Sequence, residues 1–197
     1  MTDPVVLSEA AAYTPQPPEP HQKDAWDWVE ALLTPAELME FTELYRAAPE
    51  APAGNPVVAY TPSTPFNAWV TPHIQAGEVA IWDEARRFKQ QHQCTTCLEI
   101  LHFLEEVRAY FGGHPIVITS GYRPPHINQA VGGASDSEHL FNVPEKGAID
   151  FCIEKVSIYD VERYVDNHWP FSVGYGACRG FCHVGIRPGR PRLRWSY

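Results

Sequence analysis

The chain has 197 residues, 44% of them hydrophobic, enough for one domain with a core and an appendage. Fifteen basic against twenty-four acidic residues leave a net charge of -9, which argues against nucleic acid as a partner. No window reaches the roughly 18 consecutive apolar residues of a membrane span, and five cysteines, an odd number, argue for reduced thiols over a secreted disulfide framework.

Residues 1–22 carry five prolines and little apolar surface, so they read as a disordered or extended arm. They show no basic leader followed by an apolar core, hence no recognisable signal peptide, and the expectation is synthesis in the cytoplasm. Residues 23–64 read as a helical extension followed by a Pro-rich linker: apolar residues recur at helical intervals, and Thr34-Pro35 with Glu37 resembles a capped helix start. A further helix is expected over "HIQAGEVAIWDEARRFKQQHQ". The clearest one is "TTCLEILHFLEEVRAYFGG", with Leu98, Leu101, Leu104, Val107 and Phe111 on one face and Gly112-Gly113 as the stop.

The period then shortens. "PIVIT" (115–119), "GAIDFCI" (147–153), "FSVGYG" (171–176) and "FCHVGIR" (181–187) read as short strands, and "SIYDVERYVDNHW" (157–169) as a helix capped by Ser157. Helices followed by strands predict an α+β domain over 65–197 with a small antiparallel sheet covered on one face. The run 120–146 is too long for an ordinary connection, which points to function or disorder.

Strand alternation puts Ala148, Asp150 and Cys152 on one face of "GAIDFCI". A carboxylate inside an apolar strand needs a partner, because leaving it buried and unpaired costs several kcal/mol. Arginine, a histidinium or a metal ion can each fill that role. His139 in "DSEHLF" and His183 in "FCHVGIR" are also flanked by apolar residues; with Asp150 they form a set that suits tetrahedral zinc with one open position, and equally a set of satisfied core histidines.

Several ordered motifs bear on this choice: Ser120-Gly121-Tyr122-Arg123, Asn128, Val131-Gly132-Gly133, Ser137-x-His139, Gly147-x-x-Asp150, and the closing "VGYGACRGFCHVGIRPGRPRLRW". Together they resemble the zinc D-Ala-D-Ala carboxypeptidase and murein endopeptidase family, with its hedgehog/DD-peptidase-like fold. The resemblance implies one zinc ion held by His139, Asp150 and His183, and a peptidoglycan stem peptide as the substrate. It also implies that Arg123 holds a substrate carboxylate or the charge developing on the attacked carbonyl, that Ser137 orients the metal's ligands, and that Ser137 and Asn128 line the substrate site. A wall substrate for a protein without an export signal suggests release or delivery by other means, as for a phage-associated protein.

Two departures stand out. His139 and Asp150 lie eleven residues apart, a longer step than the family's, with the excess in "NVPEK". The family also places a Glu or His shortly before the second zinc histidine, or an Asp two residues after it; here Gly176 to Cys182 offers neither, and position 185 is Gly. Glu138 is the candidate stand-in for the general base, with Glu145 the next choice. Two alternatives follow: a zinc-containing module of the same fold with weak or lost turnover, and a metal-free fold in which Asp150 pairs with Arg123. The cysteines leave a second four-thiolate site or a Cys178–Cys182 bridge open, and the basic run from Arg187 to Arg194 reads as a solvated tail or a contact for an anionic wall polymer.

Overall fold

The computed structural model describes residues 54–197. The expectations for the arm at 1–22 and the helices of 23–48 lie outside the described residues. Residues Ala53–Tyr197 make up one compact unit.

The segment 73–93 is not one helix. It forms a single turn, α1 (Ala76–Val79), then a 3-10 turn at Glu84–Arg86, before α2 (Gln91–Tyr110) begins. The break is a Schellman closure: Trp82 N–H donates to Gly77 O at 2.7 Å and Ile81 N–H to Glu78 O at 3.1 Å. Ile81 and Trp82 both take positive φ there, and Asp83 then accepts from Ala85 N–H, giving the backbone a partner other than a continuing helix.

Helix α2 starts at a capping box between Gln90 and Gln93, and its buried stripe is Cys94, Cys97, Leu101 and Leu104 at spacings of three and four, flanked by Ile100 and Val107. The two thiols are thus core residues, while Leu98 and Phe111 at the margins of the expected face are only partly buried. Gly112 and Gly113, both at positive φ, end the helix as expected. Tyr60, upstream of the expected domain start, is buried against Phe88.

The remaining elements are β1 (Ile116–Ser120), α3 (Pro125–Ala130), β2 (Gly147–Ile153), α4 (Ile158–His168), β3 (Ser172–Gly176), β4 (Phe181–Ile186) and β5 (Arg194–Ser196). Ser157 precedes α4 but makes no side-chain cap hydrogen bond. The sheet runs β1-β2-β4-β3-β5. Its first four strands pair antiparallel, as the sequence suggests, but β5 adds a parallel strand beside β3, so the sheet is mixed. Strand β5 comes out of the run read as a solvated tail. Its anchor is Arg194, whose guanidinium bonds Asp166 and the carbonyls of Trp169 (2.9 Å) and Phe171.

Helices α2 and α4 pack on one face of the sheet, where Ile149, Phe151, Val184 and Ile186 are fully buried. The other face carries a cross-strand row: Ser120 opposite Asp150, Asp150 opposite His183, His183 opposite Gly174, and Gly174 opposite Trp195. No described helix is long and apolar enough to cross a membrane.

Candidate metal centre

Three segments far apart in sequence meet on that row. His139 comes from the 3-10 turn Glu138–Leu140, Asp150 from the middle of β2 and His183 from the middle of β4. The excess residues of "NVPEK" are absorbed in the loop between Phe141, itself at positive φ, and Gly147, so Asp150 keeps its register opposite His183. One nitrogen or oxygen from each of the three residues lies within 4.8 Å of the others, and all three are buried.

The hydrogen bonds around this cluster orient both rings and set the tautomer of His139. His139 Nδ1 lies 2.8 Å from the carbonyl of Gly121, an acceptor only, so that nitrogen carries a proton and Nε2 presents its lone pair toward Asp150 at 3.2 Å. His183 is arranged the other way round: Nε2 lies 2.9 Å from Glu138 Oε2, and Nδ1 faces Asp150 Oδ1 at 2.7 Å. Both His183 nitrogens face carboxylates, so without an ion both carry protons; once Nδ1 gives up its proton, His139 Nε2, His183 Nδ1 and the Asp150 carboxylate converge as donors, with a carbonyl and a second carboxylate behind the rings. This is the donor set and backing that a metal held by two histidines and one carboxylate requires, so the residues fit such an ion.

Electrostatics agree. Burial raises the Asp150 carboxyl, but the charge and hydrogen bonds of His139 and His183 outweigh it and hold it far below the usual range. Burial lowers His139 and keeps its ring neutral, as a ligand must be. Burial also lowers His183, yet its bonds to Asp150 and Glu138 win, and without an ion its pKa rises to about 9.

Glu138 does not stand where a general base is needed. It is 2% exposed, and its carboxylate is fully engaged: Oε2 with His183, and Oε1 with Ser172 Oγ (2.7 Å) and Arg187 Nε (2.6 Å). It lies behind His183, on the side away from the nitrogen that faces Asp150, so it orients that ring. Room for it exists because residue 185 is Gly: a Cβ there would come within 1.9 Å of Glu138 Oε2. The vacancy noted at position 185 and the unexpected carboxylate at 138 are therefore one feature, and only the fold reveals it. Glu145 is exposed on its loop, 3.8 Å from Arg190 and apart from the cluster's hydrogen bonds.

Arg123 does reach the site. Its backbone N–H donates to His139 O at 2.8 Å, its guanidinium stands 3.8 Å from Asp150 Oδ2, and its Nε is buried with no partner. That contact is too long for a hydrogen bond, so pairing with Arg123 does not replace the histidines as Asp150's main interaction. Ser137 precedes the turn that carries His139, but its hydroxyl makes no side-chain hydrogen bond; the orienting is done by Gly121 and Glu138 instead. Asn128 is turned into its own loop, where Nδ2 donates to Ala134 O at 2.9 Å and Oδ1 is packed beside Gly133. It shapes the turn after α3 and is not among the groups bonded to the cluster.

Tyr197 escaped the sequence reading, and Trp195 entered it only as the end of the closing motif. Tyr197 places its phenol oxygen 3.3 Å from His183 Nδ1, and Trp195 lays its ring 5.0 Å from that imidazole. Only the pairing of β5 with β3 brings them there, and no local pattern announces it.

All five cysteines are free, and four of them are buried or partly buried, so neither the Cys178–Cys182 bridge nor a four-thiolate site forms; the His-Asp-His set is the one metal-competent group among the described residues. The basic run is exposed over 188–193, as expected of a solvated segment, but its arginines are paired within the chain: Arg187 bonds Glu138, Arg190 bonds Glu99, and Arg192 and Arg194 bond Asp166.

A mixed five-stranded α+β domain thus gathers two histidines and an aspartate into one buried candidate metal centre. The family model described as Peptidase M15 matches residues 73–185, more than half of the chain, and the chain belongs to that family. The matched segment contains all three candidate ligands and Arg123. No curated protein matches the chain.

Proposed function

We propose that this protein is a zinc metallopeptidase hydrolysing the D-Ala-containing stem peptides or cross-links of peptidoglycan, as a D,D-carboxypeptidase or endopeptidase. The observation that carries the reading is the convergence of His139 Nε2, His183 Nδ1 and Asp150, with Gly121 and Glu138 behind the two rings, in a chain of the M15 family. Zinc at this position supplies a Lewis acid for the scissile carbonyl and lowers the pKa of water to about 7.

The chain's own residues do the rest. Gly121 O and Glu138 fix the two rings. Arg123, with an unpartnered Nε and a guanidinium at the edge of the cluster, binds a peptide carboxylate or the oxygen of the attacked carbonyl, a task suited to a planar, permanently charged fork of donors. The stem peptide places the protein's work at the cell wall.

The test is elemental analysis of the purified protein together with assays of D-Ala release from stem peptides and of fragments from cross-linked muropeptides. His139→Ala should lose both the metal and the hydrolysis; retention of either would sink the reading. One observation favours a second reading, a zinc-containing wall-binding module with weak or no turnover: Glu138 is spent on His183, Ser172 and Arg187. Stoichiometric zinc with no D-Ala and no fragments released across a broad pH range would select it.

A further inference from the structure

Strand β5 lies outside the residues that the family model matches, yet it closes one side of the candidate centre. Gly174 makes this possible: a Cβ at that position would stand 2.7 Å from the ring of Tyr197 and 2.9 Å from that of Trp195. With no side chain there, both rings lie across β3 to reach His183 on β4.

The Tyr197 ring is held from several sides. Phe181 meets it edge-on at 5.0 Å, the Arg179 guanidinium lies 5.7 Å over it, and its backbone N–H donates to Tyr175 O at 3.1 Å. Its oxygen approaches the nitrogen of His183 that Asp150 already engages at 2.7 Å, so the 3.3 Å approach places the phenol beside the cluster without consuming it. The residue is 39% exposed, so it spans from the buried ligands to solvent. Arg123 lies next to Asp150, with its Nε unpartnered.

We infer that Tyr197 is a further substrate-contacting residue of the site, its phenol O–H donating a hydrogen bond to the oxygen of the attacked peptide carbonyl alongside Arg123. The inference rests on the peptidase reading above. A donor fixed in advance beside the reacting carbonyl is worth most as negative charge develops on that oxygen, so its loss falls on turnover more than on substrate binding.

The experiment compares the unaltered zinc-loaded protein with Tyr197→Phe and Tyr197→Ala. Calorimetry measures binding of a phosphinate analogue of D-alanyl-D-alanine, elemental analysis measures zinc, and steady-state assays separate kcat from KM. With the phenol as donor, both variants keep their zinc, bind the phosphinate about tenfold more weakly and lose about 10²-fold in kcat with little change in KM. Equal phosphinate binding by Tyr197→Phe and the unaltered protein overturns the inference. So does a loss confined to Tyr197→Ala, which would assign the effect to ring packing, or a loss of zinc from Tyr197→Phe, which would make the phenol a support for His183. If the unaltered protein takes up zinc but neither binds the phosphinate nor releases D-Ala or cross-link fragments, the peptidase reading itself fails.

Discussion

At the scale of single residues, the site depends on a glycine as much as on its ligands. Gly185→Ala would drive a methyl group into Glu138, whose carboxylate cannot retreat without breaking its bonds to His183, Ser172 and Arg187. The expected result is zinc affinity about 10- to 100-fold weaker, the usual consequence of losing an outer partner of a ligating histidine, and stability lower by about 1–3 kcal/mol. Competition with a chelator and thermal melts measure the two. The pH behaviour of the metal-free protein follows from His183, Asp150 and His139. His183 is raised to about 9 in the folded state, so its contribution is fully present below an unfolded value of about 6.5 and is lost as pH climbs through about 9. Asp150 is depressed, so its contribution is present above about pH 4 and is lost as pH falls below that. Burial lowers His139, which stays neutral in the fold, so its contribution is lost as pH falls below about 6.5; melting temperature in the presence of chelator should therefore be highest near pH 6.5, declining toward pH 9 through His183 and toward acid through His139 and then Asp150. Zinc, which requires the unprotonated ring, should abolish the alkaline decline; a flat profile without metal would contradict this account of His183.

At the scale of elements, β5 decides whether the site has a wall. Arg194 ties that strand to Asp166 and to two carbonyls at the end of α4 and the start of β3, from a side chain that is 15% exposed. Arg194→Ala should cost about 2 kcal/mol of stability through lost charge-assisted bonds. It should also increase amide hydrogen exchange along 194–197 while leaving α2 and β2 protected, which mass spectrometry of exchanged peptides reads directly. The two longer helices of this domain were legible by period: α2 and α4 lie where their apolar spacing puts them, while the short α3 falls inside the run 120–146, which reads as one long connection. The break at Ile81-Trp82 was not, because its cause is a closure built on two bulky residues at positive φ, a conformation their types do not advertise.

At the scale of the whole molecule, the candidate centre ties together the 3-10 turn at 138–140, β2 and β4, so a metal bound there would crosslink segments separated by 11 and 33 residues. An ion that binds only the folded form stabilises it by about 4 kcal/mol when its free concentration is a thousandfold above its dissociation constant. Chelation should thus lower the melting temperature of the 53–197 unit as a single cooperative transition, and readdition of zinc should restore it; a chelator-insensitive melt would argue for a site stabilised by its own ion pairs. The net charge of -9 coexists with a basic 187–194 segment whose arginines are matched by Asp136, Glu138, Glu99 and Asp166. That segment is solvated over 188–193 yet tied to the fold by these pairs, which composition alone does not show.

The sequence by itself determined the α+β class, the four antiparallel strands and the helix that backs them, and through its family resemblance it named His139, Asp150 and His183 as the candidate ligands. These follow from periodicity and from motifs whose residues are local, or are ordered along the chain. Tertiary structure alone decided that Glu138 fills the space above Gly185, that β5 adds parallel to β3, and that Tyr197 reaches His183. Each of these depends on the register between strands distant in sequence and on the volume of a side chain that is absent, and neither quantity is encoded in any short stretch of residues.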